Sequence, residues 1–491
     1  MKNIYVKDIL NITKGELIIG NQEEIVDNFC NDTRIIKKDD TYFALVGGNF
    51  DGNKFWKEAL EKGAKIVILQ DINFEKEDLS MYQDRTIIKV ENTLDALYKI
   101  AEYKRSLFNI PVVAITGSVG KTSTKDIVAS VVSQKYKTLK TEANHNNNIG
   151  LSLTILRLKD EEALVLEMGM NHLREISLLT KIAKPTVSII TNIGTAHIGN
   201  LGSRENILRA KLEILEGMEN PLLVVNNDND LLNKLVECFN NKEANSNKTS
   251  EENDIFEETV SKYKNNIEIH TFGINNESEA MAKDIELHQN SSTFTCECNN
   301  EKLTITVPVG GEHFILNALC ACKVGEVLNI PNESIKQGIE SFELTQKRMD
   351  ISTLSNGVTI INDSYNASYE SMAASLKYLS RLENPRKIAV LGDMFELGEY
   401  SVELHKKVGE EVAKNKIDLL ICAGENAKII YETAIKKGLS EENAYYLDDK
   451  EEIVKYLEIK MQKGDVILFK ASNGMKFFEL VEELKKSVEE K

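Results

Sequence analysis

The chain has 491 residues, 42% hydrophobic and 28% charged, and its 60 Lys and Arg against 77 Asp and Glu leave a formal net charge of −17. That length suits about three domains, each with its own core, rather than one compact fold. The acidic balance repels polyanions and argues against nonspecific nucleic-acid binding. No apolar run reaches the roughly 18 residues that a membrane span requires, so no membrane insertion is expected.

In chain order, the opening stretch MKNIYVKDILNITKGE is interrupted by Lys7, Asp8 and Lys14. It lacks the continuous apolar core of a secretory signal, so a cytoplasmic location is expected. Residues 1–108 mix short strands and helices, as in DTYFALVGG and GAKIVILQ, and end in the helical pattern TLDALYKIAEYKRSLF. Pro111 marks a break. From PVVAITG onward, β-branched runs (ALVLEMG, TVSIITNIG, PLLVVNND) alternate with helical patterns, the grammar of a parallel sheet with helices on its faces.

Residues 240–266, polar and Asn-rich with little periodicity, read as a surface insertion. Alternating strands (STFTCECNNEKLTITVPV) and a helical pair over 313–329 and 332–342 follow. Cys296 and Cys298 alternate along a strand rather than showing zinc-ligand spacing, and the seven scattered cysteines fit a reduced compartment without disulfides. ELTQKRMD marks the last boundary. Beyond it, GVTIINDSYNAS, RKIAVLGDM, IDLLICAG and DVILFKAS repeat the strand-and-turn pattern. The expected fold is α/β in three domains: a small N-terminal α/β domain (1–108), a central parallel-sheet domain (109–342) and a C-terminal Rossmann-like domain (343–491).

AITGSVGKTSTKD turns from a strand through Gly117 and Gly120 into a helix. Backbone N–H groups and a helix N-terminus there can face phosphate oxygens. Lys121 adds charge and the Thr122 hydroxyl can ligate Mg²⁺. The usual phosphate loop has a glycine five positions before Gly120, where this chain has Ile115, so the loop is a shortened one.

Functional groups in open parallel sheets gather beyond the carboxyl ends of the strands. Glu167 closes ALVLE, and His197 follows SIITNIGTA. A histidine so placed is either a hydrogen-bonded packing residue or a metal ligand; beside a phosphate loop and a carboxylate it suits a two-cation nucleotide site. In SRENILRAKLEILEGM, read as one helix capped by Ser203 with Glu205 in its first turn, Lys211 interrupts the apolar stripe of Ile207, Ile214, Leu215 and Met218. Either Lys211 snorkels with its ammonium in water, or burial lowers its pKa and leaves a neutral amine that CO₂ could convert to a carbamate, an oxygen ligand for Mg²⁺.

TGSVGKTSTKD, EMGMN, TNIGTAHIGNLGSRENILRAKLEI, NALCAC, NDSYNASYESMAASL and LGDMFELGEYSVELH together resemble the Mur ligases of peptidoglycan synthesis over essentially the whole chain, and that family uses the shortened loop. The resemblance implies that Gly117, Ser118, Val119, Gly120, Lys121, Thr122 and Ser123 hold ATP phosphates. It implies that Thr122, Glu167 and His197 hold two magnesium ions, that Lys211 is carbamylated and ligates one, and that Asn317, Arg348 and Asp363 contact the nucleotide. Asn147 and Asn148 of NNIG fall near the reacting centre. NDTR and FALVGGNFDGNKF look like UDP-binding segments, implicating Asp32, Thr33, Arg34, Gly47, Asp51 and Gly52 in the first domain. Asn53 and Asn473 depart from the family's common histidine and arginine.

The implied reaction joins D-alanyl-D-alanine to UDP-N-acetylmuramoyl-tripeptide through an acyl phosphate, in a monomer. Three alternatives stand beside it. The ligases adding the third peptide residue often carry an Asp-Asn-Pro-Arg segment that this chain lacks, and folylpolyglutamate synthase would not need the UDP-like segments. A nucleotide-dependent switch protein would hydrolyse ATP without ligation.

Overall fold

A computed structural model describes residues 2–48, 50–74, 77–240, 255–345, 349–383, 386–447 and 449–489. Its centre is a seven-stranded, wholly parallel sheet in the order Thr138–Lys140, Ala163–Glu167, Val112–Thr116, Val187–Ile190, Leu222–Asn226, Glu268–Gly273, Ala280–Met281. The β-branched runs form these strands because both faces of the sheet are covered: every residue of Val112–Thr116, Ala163–Glu167 and Val187–Ile190 is buried. From Val112–Thr116 the chain first fills one side of the sheet and then, from Val187 on, the other. That strand is therefore the switch point, where a crevice opens beyond the strand ends.

Before this sheet, five strands (Glu16–Ile19, Thr86–Lys89, Ile66–Leu69, Thr41–Phe43, Phe29–Cys30) form a mixed sheet with only the first pair antiparallel. After it come a three-stranded antiparallel sheet, Lys283–Leu287, Ser292–Cys298 and Glu301–Val307, and the helices Glu312–Val327 and Asn332–Glu340. The last sheet has six strands, Asp350–Thr353, Thr359–Asn362, Val466–Lys470, Lys387–Gly392, Leu419–Ala423 and Ala444–Tyr446, parallel except at the first pair. We refer to these as the first, middle and last units. Among the described residues, no helix is long and apolar enough to cross a membrane, and none of the seven cysteines is in a disulfide.

Two local readings are corrected. Of the expected insertion 240–266, residues 241–254 lie outside those described, but Ile255–Tyr263 is a helix that buries Ile255, Phe256, Thr259 and Tyr263. Apolar residues at both ends of that short stretch outweigh its polar composition. The helix expected over 203–218 is capped by Ser203, whose Oγ accepts from Asn206 N, yet it ends at Leu212 and tightens into a 3₁₀ turn, Glu213–Gly217. There the Glu213 carboxylate accepts from Arg174 N (2.6 Å) and Ser177 N (3.1 Å), satisfying open amides at the start of the helix Glu175–Ala183.

The units meet differently at their two junctions. Helix Thr93–Ser106 of the first unit carries buried Arg105, which donates to Ala183 O (2.7 Å), Phe108 O (2.5 Å) and Lys184 O (3.2 Å). At the other junction, Asp126 on the helix Lys121–Val132 accepts from both Thr345 N (2.9 Å) and Thr345 Oγ1 (2.8 Å), gripping the chain as it leaves for the last unit. Lys125 and Lys140 each stand 3.1 Å from the Asp126 carboxylate.

Candidate active site

The phosphate loop follows the switch-point strand. Gly117 is required there: a Cβ at this position would lie 1.9 Å from Thr191 Oγ1. The loop is pinned to its neighbour by Ser118 N donating to Asn192 O (3.0 Å), Val119 N to Asn192 Oδ1 (3.0 Å) and Ser118 Oγ accepting from Gly194 N (2.9 Å). Gly120, with φ +81°, then opens the helix Lys121–Val132. Lys121 Nζ folds back onto Gly117 O (2.8 Å) and Ser118 O (3.4 Å), so a cation stands at the mouth of a helix N-terminus.

Glu167, 2% exposed, ends the strand beside Ile115. Its Oε2 accepts from Thr122 Oγ1 (2.8 Å), its Oε1 from Asn146 Nδ2 (2.8 Å), and its own N–H donates to Thr141 Oγ1 (3.0 Å). Lys125, 1% exposed, donates to Thr141 O at 3.1 Å. Helix, strand and the loop before Asn147 are thereby fixed to one carboxylate. Asn147 Oδ1 caps the helix Asn148–Leu156 by accepting from Gly150 N (2.8 Å), and Asn148 donates to the Tyr98 hydroxyl.

His197, at φ +62°, faces Glu396 of the last unit, with Oε2 2.5 Å from Nδ1 but without the alignment of a hydrogen bond. Burial and the Lys121 ammonium push its pKa below the ordinary value, against the pull of Glu396. Lys211 is 2% exposed and does not snorkel. Burial, then the charge of Lys121, hold its pKa well below the usual lysine range. Among the described residues no acid stands within ion-pair distance of it, so the burial half of the sequence reading holds.

A cleft of about 790 Å³ joins these groups to the last unit. Ser118, Val119, Gly120, Lys121, Ser123, Asn147, Asn148, Glu167, His197 and Asn317 line it from the middle unit, and Asp363 from the last. Gly117, Thr122 and Lys211 are not among the lining residues. Asn317 Oδ1 accepts from Thr124 Oγ1 (2.9 Å), and Asp363 Oδ2 accepts from Ser375 Oγ (2.7 Å) and from the buried Lys470 ammonium (2.5 Å). Arg348 lies outside the described residues. Asn473 lines the cleft beside Ser472 and Gly474, which gives its departure a location. Sequence reasoning missed Asn146, Glu370, Glu396, His313 and Lys470, all in the lining. Lys470 ends the strand Val466–Lys470 as Glu167 ends its own, so the same rule would have found it.

The residues expected to meet UDP do not line this cleft. In the first unit, Arg34 N, Nε and Nη2 all donate to the Asp32 carboxylate, whose pKa those hydrogen bonds hold down at about 2. Thr33 lies in the same turn, its carbonyl accepting from Lys62 Nζ (3.1 Å). Asp51 Oδ1 accepts from Asn53 N (3.0 Å) at the start of the 3₁₀ turn Gly52–Phe55, while Gly47 lies in a two-stranded ribbon paired with Phe50. Asn53 is buried and structural: its Oδ1 accepts from Gln70 N (2.9 Å).

No group of three or more His, Cys, Asp or Glu arranged to hold a metal ion occurs among the described residues. One carboxylate, one imidazole and one hydroxyl at a phosphate loop instead suit a hard cation that keeps waters and takes substrate phosphates as its remaining ligands. The residues fit Mg²⁺ in that sense.

Comparison with known proteins agrees with this geometry. Family models match successive stretches: the Mur ligase family catalytic domain at residues 28–105, the Mur ligase middle domain at 115–264 and 251–325, and the Mur ligase glutamate ligase domain at 347–473. A Bacillus subtilis protein named UDP-N-acetylmuramoyl-tripeptide--D-alanyl-D-alanine ligase is 32% identical over 98% of both chains. The crystal structure of MurF from Acinetobacter baumannii superposes with a TM-score of 0.84 at 26% identity over 99% of both chains. That of MurF from Thermotoga maritima, in complex with ADP, gives 0.78 at 29% identity, covering 95% of this chain and 98% of its own. A phosphate loop at the switch point, an acid at the next strand end and this full-length likeness lead to one conclusion: the chain belongs to the Mur ligase family.

Proposed function

We propose that this chain is an ATP-dependent ligase that joins D-alanyl-D-alanine to UDP-N-acetylmuramoyl-tripeptide. The observation that carries the reading is a single cleft lined by the phosphate loop, Glu167 and His197 on one side and by Asp363 on the other, in a chain similar end to end to proteins of that name. The match over 28–105 weighs against a folylpolyglutamate synthase, and the assay below separates the third-residue ligase and the switch protein.

Amide formation in water is uphill, so the tripeptide carboxylate must first take the ATP γ-phosphoryl group, leaving phosphate as the group displaced by the dipeptide amine. The phosphate loop amides and Lys121 hold and neutralise the triphosphate; their contribution is positioning and electrostatics. Magnesium bound at Thr122, Glu167 and His197 would add charge at the transferring phosphoryl group. Lys211, buried with a lowered pKa, is suited to attack CO₂ through its neutral amine and lose a proton, giving a carbamate that could serve as an oxygen ligand for the cation. Asn317 and Asp363 are assigned to the nucleotide, with Arg348 from the family pattern. Asn147 and Asn148 are assigned to the reacting centre.

Asp32, Thr33, Arg34, Gly47, Asp51 and Gly52 are assigned to the uridine end, on the unit away from the cleft. Domain limits at 108 and 342 are supported by the sheets, none of which mixes strands across them. The chain is assigned to the cytoplasm as a monomer; its cysteines, none of them in a disulfide, suit a reduced compartment. The test is phosphate release from ATP and UDP-N-acetylmuramoyl-tripeptide with and without D-alanyl-D-alanine. Dependence on the dipeptide is expected. Release indifferent to it would overturn the assignment.

A further inference from the structure

We propose that Glu396 is a positioning residue for His197, so that seating the last unit on the middle unit and completing the cation site are one event. The inference rests on the ligase reading above. It begins from the shortage of partners on the middle unit: among the described residues, Glu396 is the only acid within ion-pair distance of His197, and it arrives from across the cleft. The His197 Nδ1 it approaches is buried and has no hydrogen-bond partner.

A histidine that ligates a metal through one ring nitrogen almost always has a carboxylate, carbonyl or water on the other, which fixes the tautomer and the ring orientation. With Glu396 on Nδ1, the nitrogen left with an open lone pair is Nε2. The middle unit supplies the imidazole and the last unit supplies the group that aims it.

The surrounding contact is built for close approach. Gly199 N donates to Glu396 O (3.0 Å), and a Cβ on Gly199 would lie 2.5 Å from Gly398 N and 2.7 Å from Glu396 O. Gly398 has φ +53°, and Glu396 itself has φ +62°, a conformation that non-glycine residues seldom adopt. Tyr400 Oη donates to Gly202 O (2.5 Å), and Thr195 Oγ1 to Glu370 Oε2 (3.1 Å). The loop 394–400 is therefore held against the turn 195–202 by backbone on both sides. Glu396, half exposed at 49%, is not a core residue whose replacement would cost the fold.

The test is binding of Mn²⁺ in the presence of ADP, read by electron paramagnetic resonance, for the full chain and for Glu396→Ala, Gly199→Ala and the double variant. Each single change should weaken Mn²⁺ binding by about tenfold, the lower end for loss of a ligand's supporting group. The double variant should match either single one, because both act through one contact. Glu396→Gln, whose amide oxygen can stand beside Nδ1 where Oε2 stands, should keep most of the affinity. Wild-type affinity for Mn²⁺ in both single variants, or multiplied losses in the double, would overturn the proposal while leaving the ligase reading intact. A wild-type chain that binds no Mn²⁺ with ADP would overturn both.

Discussion

The junction between the first and middle units and the junction between the middle and last units are built from different materials. The first is sealed by a buried guanidinium spending its donors on three carbonyls, with Ile100, Ala101 and Phe108 continuous with the core of the middle unit. The second shares that apolar core, which runs on through Met372, Leu376 and Tyr378, but opens a polar cleft and is bridged by partly exposed side-chain pairs, Glu312 with Lys377 and Arg381 and His197 with Glu396. Separating either junction would bare apolar surface; the first would also leave buried carbonyls without their donor, whereas the polar groups of the second are ones that water can serve. The difference teaches that the polar contacts of one junction are buried within it, while those of the other surround an open cleft.

If that contrast is right, the largest effect should come from the rigid wall of the cleft rather than from either junction. Lys211→Ala is expected to lower kcat by about 10²–10³-fold, as removal of a group aimed at developing charge does, with thermal stability nearly unchanged and added short carboxylic acids restoring part of the rate. Failure of rescue at every concentration would count against the carbamate. Next, Arg105→Ala should cost about 3 kcal/mol in chemical denaturation, since two buried carbonyls and one partly buried one lose their donor, while the affinity for ADP stays as it was. A loss of affinity with full stability would invert the comparison.

His313 sharpens it through pH. Burial lowers its pKa from 6.5 to about 4, at the cleft where Asp363 and Lys470 face it. Its folded value lies below its unfolded one, so the unfolded chain binds the extra proton. The stability due to the neutral ring is complete above pH 6.5 and drains away as pH falls toward 4. The ring keeps some contact with solvent, so we expect about 2 kcal/mol over that window, and His313→Phe should flatten this part of the pH dependence. The smallest effect is Tyr400→Phe, which removes one hydrogen bond at the junction with the last unit. It should cost about 1 kcal/mol or less, yet shift small-angle scattering toward a more extended particle. A chain of unchanged dimensions would mean that this edge does not hold the last unit in place.

What the sequence disclosed followed the reach of its local rules. Gly117, Gly120, Lys121 and Glu167 were legible because a strand, its last residue and the turn after it are neighbours in the chain. Lys211 was left between two readings because helical periodicity gives a face but not a depth; the end of its helix at Leu212 was hidden because Glu213 is drawn off by amides 36 to 39 residues away. Asn146 escaped notice inside a run of three asparagines, where only geometry distinguishes the residue that holds Glu167 from the one that caps a helix. Glu396 lies within LGDMFELGEYSVELH, but nothing local gives its role, since its partner belongs to another unit.

Asp126 follows Lys121 by about one and a half turns of the same helix, and it grips Thr345 by two hydrogen bonds. The helix that opens at the phosphate loop is thus also the mounting for the chain that leads into the last unit, and a tilt imposed at either end would be delivered to the other without passing through open water. Inserting residues after Thr345 would slacken that chain while leaving its mounting bolted in place.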